Sequence, residues 1–458
     1  MSQLSPEIIC HEMIDHSEMN RETIVNLLLE YLTDQKICYA SVDPSGYDYT
    51  SKNEFKIIVP KKSFKNISYN VHEFCNKYGL VPIQKIWHGS TACSFILSFC
   101  QYKARQFNPI RISLCSDFKK DGRFYLSSLE LLDNRDYVPE KKYWKLNDTY
   151  AFLFNLINAI EERSISNKQL LQLFKWWKSA EISIVQHLKT FFKKDSIAII
   201  AQSLNEKNVD HWNAHLEFIS KDLKAKVPWR IKDRLLDKVN LLKCVIKPSG
   251  LVVGLLGRDG SGKDTFINEM SGTVGACFNG TANFKKFPAI FYKGAIFNKN
   301  EGYHFSKPHN YVARGQLASF LKLNLIFIEF MFGYWLKVFP RKWKSELVFY
   351  NRYFIDVLAD PLRYRIKGNR ILIKAFHYIL PKPDLWIILD LPTDVLFKRK
   401  QELTYEMSEK LRLEYLALQK MLPNSIVIDN GKELESTVNQ AASFMLDYMN
   451  RKVSKQYF

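Results

Sequence analysis

The residues best placed by type and spacing to do chemistry form one run, Gly257-Arg258-Asp259-Gly260-Ser261-Gly262-Lys263-Asp264-Thr265. The spacing is GxxxxGK. Glycines at 257, 260 and 262 let the backbone curl until successive N–H groups point inward, and a lysine after the last glycine reaches outer phosphates. The next residue usually offers a hydroxyl to Mg²⁺. Here it is Asp264, which can ligate the ion directly, with Thr265 as the alternative. The implied chemistry is capture of ATP with its Mg²⁺.

Such a cradle needs a strand before it and a helix after it, whose N-terminus adds partial positive charge. The apolar Val252-Val253-Gly254-Leu255-Leu256 reads as the strand, and Phe266-Ile267-Asn268-Glu269-Met270 continues as the helix. Downstream, an apolar run over 347–350 ends at Asn351-Arg352-Tyr353-Phe354, and another ends at Asp390 before a helix bearing Arg399. A helix with Arg412 and Tyr415 precedes a last strand, Ser425-Ile426-Val427-Ile428-Asp429. Alternating strands and helices predict a parallel sheet whose strand ends face one crevice, where Gly257, Asn351 and Asp390 converge. Asp360-Pro361-Leu362-Arg363-Tyr364-Arg365 offers guanidinium forks at 363 and 365 suited to an acceptor phosphate; a solvated basic loop fits it equally.

In this order the motifs resemble the thymidylate kinase-like family of nucleoside monophosphate kinases over roughly residues 250–451. Gly257 to Lys263 is similar to that family's GxDGSGK, and Asn351-Arg352-Tyr353 stands where the family has Asp-Arg-Tyr or Asp-Arg-Phe. The resemblance implies ATP and Mg²⁺ as cofactors and a phosphorylated acceptor, either a nucleoside monophosphate or a related compound. It gives Lys263 the donor's outer phosphates, Arg352 a bridge between donor and acceptor, and Asp259 a contact to the acceptor. Arg399 and Arg412 belong to a polar segment, with Lys398, Lys400, Glu402 and Lys410, that can close as a lid. Asn351 carries no charge, and Asp264 supplies the carboxylate that Asn351 lacks. The other reading is a catalytically weak nucleotide-binding regulatory or scaffold protein. A polyphosphate-using kinase is a third, since Gly257-Arg258-Asp259 resembles that family's loop, but its later Asp-Arg-Ser is missing.

The first part of the chain alternates short helices and strands: a helix over 23–32, strands over 37–40 and 52–60, a helix over 68–78, then strands over 94–99 and 109–115. This predicts a small α+β domain. Residues 23–132 resemble the nucleotidyltransferase-like family, whose carboxylates hold two Mg²⁺ ions. At the matching positions stand Glu54, Lys56 and Ser113, which implies a non-catalytic version. Asp43, Asp48 and Asp117 read as loop residues. From 145 to 243 apolar residues recur at helical spacing, as in Leu170, Leu173, Phe174 and Trp177. The expected divisions are therefore 1–144, 145–245 and 246–458.

The charge of +19 predicts affinity for polyanions, with nucleic acid not favoured over nucleotides. Eight cysteines without CxxC spacing read as free thiols, and His304, His309 and His377 as structural or loop residues. The first 18 residues lack the order of a signal peptide, so a cytoplasmic location is expected. The apolar stretch 317–339 is interrupted by Lys322, Asn324, Glu329 and Lys337 and reads as a buried or groove-lining helix, without a transmembrane segment, while the following Arg341-Lys342-Trp343-Lys344 keeps a membrane-surface helix open. A homodimer stays open.

Overall fold

The computed structural model describes residues 21–42, 54–99, 109–285, 288, 290, 313, 315–367, 369–399 and 403–457. Asp43, Asp48, His304, His309, Lys400 and Glu402 lie outside them. The chain divides into two compact units, the first reaching Ile246 and the second spanning Lys247–Lys452. The helices expected as a separate region at 145–245 lie in the first unit.

The first unit holds a mixed seven-stranded sheet. From edge to edge its strands are Leu80–Trp87, Ala92–Phe99, Ile110–Cys115, Glu54–Ile58, Ala40–Ser41, Tyr143–Leu146 and Arg135–Val138. Helices Arg21–Asp34 and Ile67–Tyr78 bury Ile24, Leu28 and Phe74 against Phe55, Phe95 and Ile112. On Ile58 and Cys115 of the same sheet packs a second core containing Phe152, Trp177 and Trp212 from the helices after Asp148. Asn147 starts the first of these helices by accepting from the Tyr150 N–H, and Ser166 with Gln169 forms a capping box for the next.

The second unit is a P-loop α/β fold. Its five strands are all parallel, in the order Thr281–Phe284, Leu347–Tyr350, Leu251–Leu256, Leu385–Asp390, Ser425–Asp429. The strand feeding the glycine loop is buried at every position and lies at the centre, which explains its unbroken apolar run. Later strands add on both of its sides, so connections diverge at its C-terminal end and leave a crevice there.

The 317–339 stretch is buried on one side and exposed on the other. A helix Gln316–Gly333 leads through a π-helical turn, Tyr334–Val338, into Phe339–Trp343. Leu323, Ile326 and Phe330 face the core, whereas Leu317, Phe320, Leu321, Trp335 and Leu336 are exposed. Glu329, which breaks the apolar run in sequence, is fully buried and accepts the Ile290 N–H at 2.6 Å. By length and composition alone, the 28-residue run Gln316–Trp343 could cross a membrane.

Candidate active site at the strand ends

The loop between Leu256 and Lys263 has the shape its glycines permit. Gly257 has φ +145°, and a Cβ there would lie 2.7 Å from the Leu389 carbonyl oxygen. Gly262, at φ +84°, ends the loop as the helix N-cap, with the Asn430 amide 2.6 Å from where its Cβ would sit. No side chain caps Lys263–Thr273, so its N-terminal N–H groups are left for another acceptor. Lys263 is buried, and its Nζ donates to the carbonyls of Gly257 at 2.8 Å and Arg258 at 2.7 Å. The ammonium thus lies folded over the loop.

Several expected residues meet here. Asn351, at the end of the neighbouring strand, donates to Asp264 at 2.5 Å. Arg352 and Arg363 both form ion pairs with Asp259. Arg363 is set by the turn after Asp360, whose carboxylate accepts the Arg363 N–H at 3.2 Å. Arg365 ends that turn at φ +53°. Asp356, fully buried, feels the charges of both Lys263 and Arg352, which places these two cations in one region. Burial pushes its carboxyl above the usual range, against the pull of Arg352.

Other expected residues are engaged elsewhere. The Arg258 side chain does not face the crevice. It is buried, donating to Thr393 Oγ1 at 2.9 Å, Ser408 O at 2.9 Å, Ser408 Oγ at 2.8 Å and the Leu391 carbonyl. Its guanidinium therefore braces the loop, because leaving these acceptors would strip a buried charge of its partners. Arg412 is held bidentately by Asp390, at 2.7 and 2.6 Å, and reaches Glu409 at 3.3 Å. Arg399 is exposed at the end of the helix Thr393–Arg399. Thr265 is exposed beside Asp264.

The site fits a triphosphate with a hard cation. Ser261 Oγ, Asn351 Oδ1 and Arg352 Nη1 are buried without a hydrogen-bond partner, an expense that a polar ligand would relieve. Asp264 and Thr265 would hold Mg²⁺ together with phosphate oxygens. No group of three or more His, Cys, Asp or Glu side chains gathers for a metal among the described residues, and a phosphate-bound Mg²⁺ needs only one or two protein ligands.

In the first unit, Glu54, Lys56 and Ser113 also come together, lining a cavity of 930 Å³. The Glu54 carboxylate accepts from both Ser94 and Ser113. Burial opposes its charge, but His88, Lys56 and these hydroxyls hold its pKa below the usual value. Asp117 is likewise occupied, accepting from the backbone and hydroxyl of Ser128 at 3.1 Å and pairing with Lys61 at 3.2 Å.

Loop and strand order define the second unit as a P-loop α/β unit. No family model matches the sequence, and no curated protein does. Among solved structures, the thymidylate kinase of Ehrlichia chaffeensis is 17% identical, covering 42% of this chain and 97% of its own, with a TM-score of 0.29. That of Candida albicans is 19% identical, covering 42% and 88%, with a TM-score of 0.31. Likeness of this size says nothing about what the chain binds.

Proposed function

We propose that the second unit is an ATP- and Mg²⁺-dependent phosphotransferase resembling thymidylate kinase, which phosphorylates a nucleoside monophosphate or a related phosphorylated acceptor. The observation that carries this reading is the gathering of Lys263, Arg352 and Arg363 around Asp259 and Asp356 at the ends of parallel strands. Phosphoryl transfer asks little covalent chemistry of a protein. It needs cations distributed over the transferring group and both substrates held in line.

In this reading Lys263 leaves the loop carbonyls for the donor's outer phosphates, with the N–H groups of the loop and helix terminus completing the cradle. Mg²⁺, when bound, neutralises charge on the phosphates. Arg352 bridges donor and acceptor, and Arg363 with Arg365 grips the acceptor phosphate. Asp259 keeps two arginines in position until an anion competes for them. The first unit acts as a non-catalytic nucleotidyltransferase-like domain, its Glu54 occupied by two hydroxyls and Lys56 standing where metal binding needs a carboxylate. A cytoplasmic enzyme suits this chemistry.

An ADP-release assay across monophosphates and phosphosugars tests the reading. ADP release should need both an acceptor and Mg²⁺, and should fall roughly a hundredfold or more in Lys263→Ala. ATP that raises the melting temperature without ADP release for any acceptor would reject the kinase reading in favour of a nucleotide-binding regulatory or scaffold protein.

A further inference from the structure

The helix Tyr405–Leu418 touches the candidate site through one face. Ser408, Arg412 and Tyr415 stand at i, i+4 and i+7, which puts them on a single stripe. Ser408 accepts from Arg258 of the glycine loop, Arg412 holds Asp390 at a strand end, and the Tyr415 hydroxyl donates to Asp356 at 2.9 Å. Each of these partners belongs to a different segment of the crevice.

Asp356 sits between Tyr415 and Arg352. One carboxylate oxygen accepts the Tyr353 N–H at 2.7 Å, and the other accepts from Tyr415 and lies 3.7 Å from Arg352 Nη1. The second Arg352 nitrogen meets Asp259 on the loop. Arg352 is therefore flanked by two carboxylates, one on the phosphate-binding loop and one fixed in the core by a tyrosine from the distant helix.

We infer that Asp356 and Tyr415 are positioning residues for Arg352, and that the Ser408–Arg412–Tyr415 stripe aligns the donor loop with that arginine. This rests on the phosphotransferase reading. Both donors fix the Asp356 carboxylate and leave Arg352 Nη1 a constant, weakly held neighbour. Nη2 can then exchange Asp259 for a phosphate oxygen, and Nη1, which has no hydrogen-bond partner among the described residues, stays open to the same ligand. Without the Tyr415 hydroxyl, the carboxylate turns toward Arg352 and draws the guanidinium off the line of transfer. Small displacements at a reacting centre have large effects on rate.

The test is steady-state kinetics on the full chain, comparing wild type with Tyr415→Phe, Asp356→Asn and, as a control on the same helix, Tyr405→Phe. Tyr405 is exposed, and its hydroxyl donates to Asp394. Tyr415→Phe should lower kcat roughly tenfold and Asp356→Asn by at least as much, with the KM for ATP within about twofold of wild type. Tyr405→Phe should match wild type. A merely structural role would lower the melting temperature and leave kcat per folded molecule unchanged, which would overturn the inference. Should Asp356→Asn fail to fold, Tyr415→Phe decides alone. A wild type that turns over beside variants equal to it rejects this inference only. A wild type that binds ATP and phosphorylates no acceptor rejects the kinase reading and this inference with it.

Discussion

The side-chain amide of Asn351 donates to the carboxylate of Asp264 at 2.5 Å, joining the residue after one strand to the first turn of the helix beside it. An acid and an amide thus share the place next to the phosphate cradle, with the charge on the helix side. In the proposed reading Asp264 would hold Mg²⁺, and Asn351 Oδ1, buried and without a hydrogen-bond partner among the described residues, would accept from a water on the ion.

Asp264→Ala is therefore expected to lower Mg²⁺-dependent ADP release roughly a hundredfold. Unchanged turnover would show that Thr265 or the phosphates alone hold the ion. Asn351→Asp gives a test independent of catalysis. Two carboxylates at hydrogen-bond distance repel, so the variant should melt below wild type and recover when Mg²⁺ is added. A melting temperature indifferent to Mg²⁺ would place the ion elsewhere.

Gly257→Ala should be poorly tolerated, because φ +145° strains any side chain and the added Cβ meets the Leu389 backbone oxygen. A loss of about 1–3 kcal/mol is expected from the backbone conformation alone, measured by denaturant unfolding. The ATP-induced rise in melting temperature should vanish as well. A stable variant that still binds ATP would mean the loop adopts another path.

His377 predicts the acid side of the stability curve. It is buried with both ring nitrogens unpartnered, edge-on to Trp386, and burial followed by the charge of Lys382 lowers its pKa to about 4. Between pH 6.5 and about 4, the unfolded chain takes up a proton that the folded one refuses. Stability then falls as pH falls through this window, by about 3 kcal/mol at most. His377→Met should flatten that slope in pH-dependent melting. A slope unchanged by the substitution would assign it to other groups.

Much of the site was legible because its signals are local. Glycines and a lysine within a few residues of one another constrain a loop wherever it lies, and Arg352 follows directly from a buried strand. Partnerships across the chain were not legible. Arg258 meets Thr393 and Ser408 across 135 and 150 residues, so nothing in the loop's own spacing showed that its guanidinium is a brace. Asp356 carries no local motif, and Tyr415 stood out only as a helix residue near Arg412, with nothing to show its partner. The strand Leu80–Trp87 went unread because Pro82 interrupts it at a register shift, and Thr281–Phe284 because it is a short edge strand with exposed positions. The helix over 316–343 was legible as apolar, but which side would face outward was not.

Arg258 has a practical consequence for anyone wishing to exchange nucleotide-binding loops between proteins. Its guanidinium has a socket made by Leu391, Thr393 and Ser408, so a graft bearing this arginine into a scaffold without those acceptors would bury an orphan cation. The smallest transferable module is consequently discontinuous, comprising the loop together with the start of two later helices.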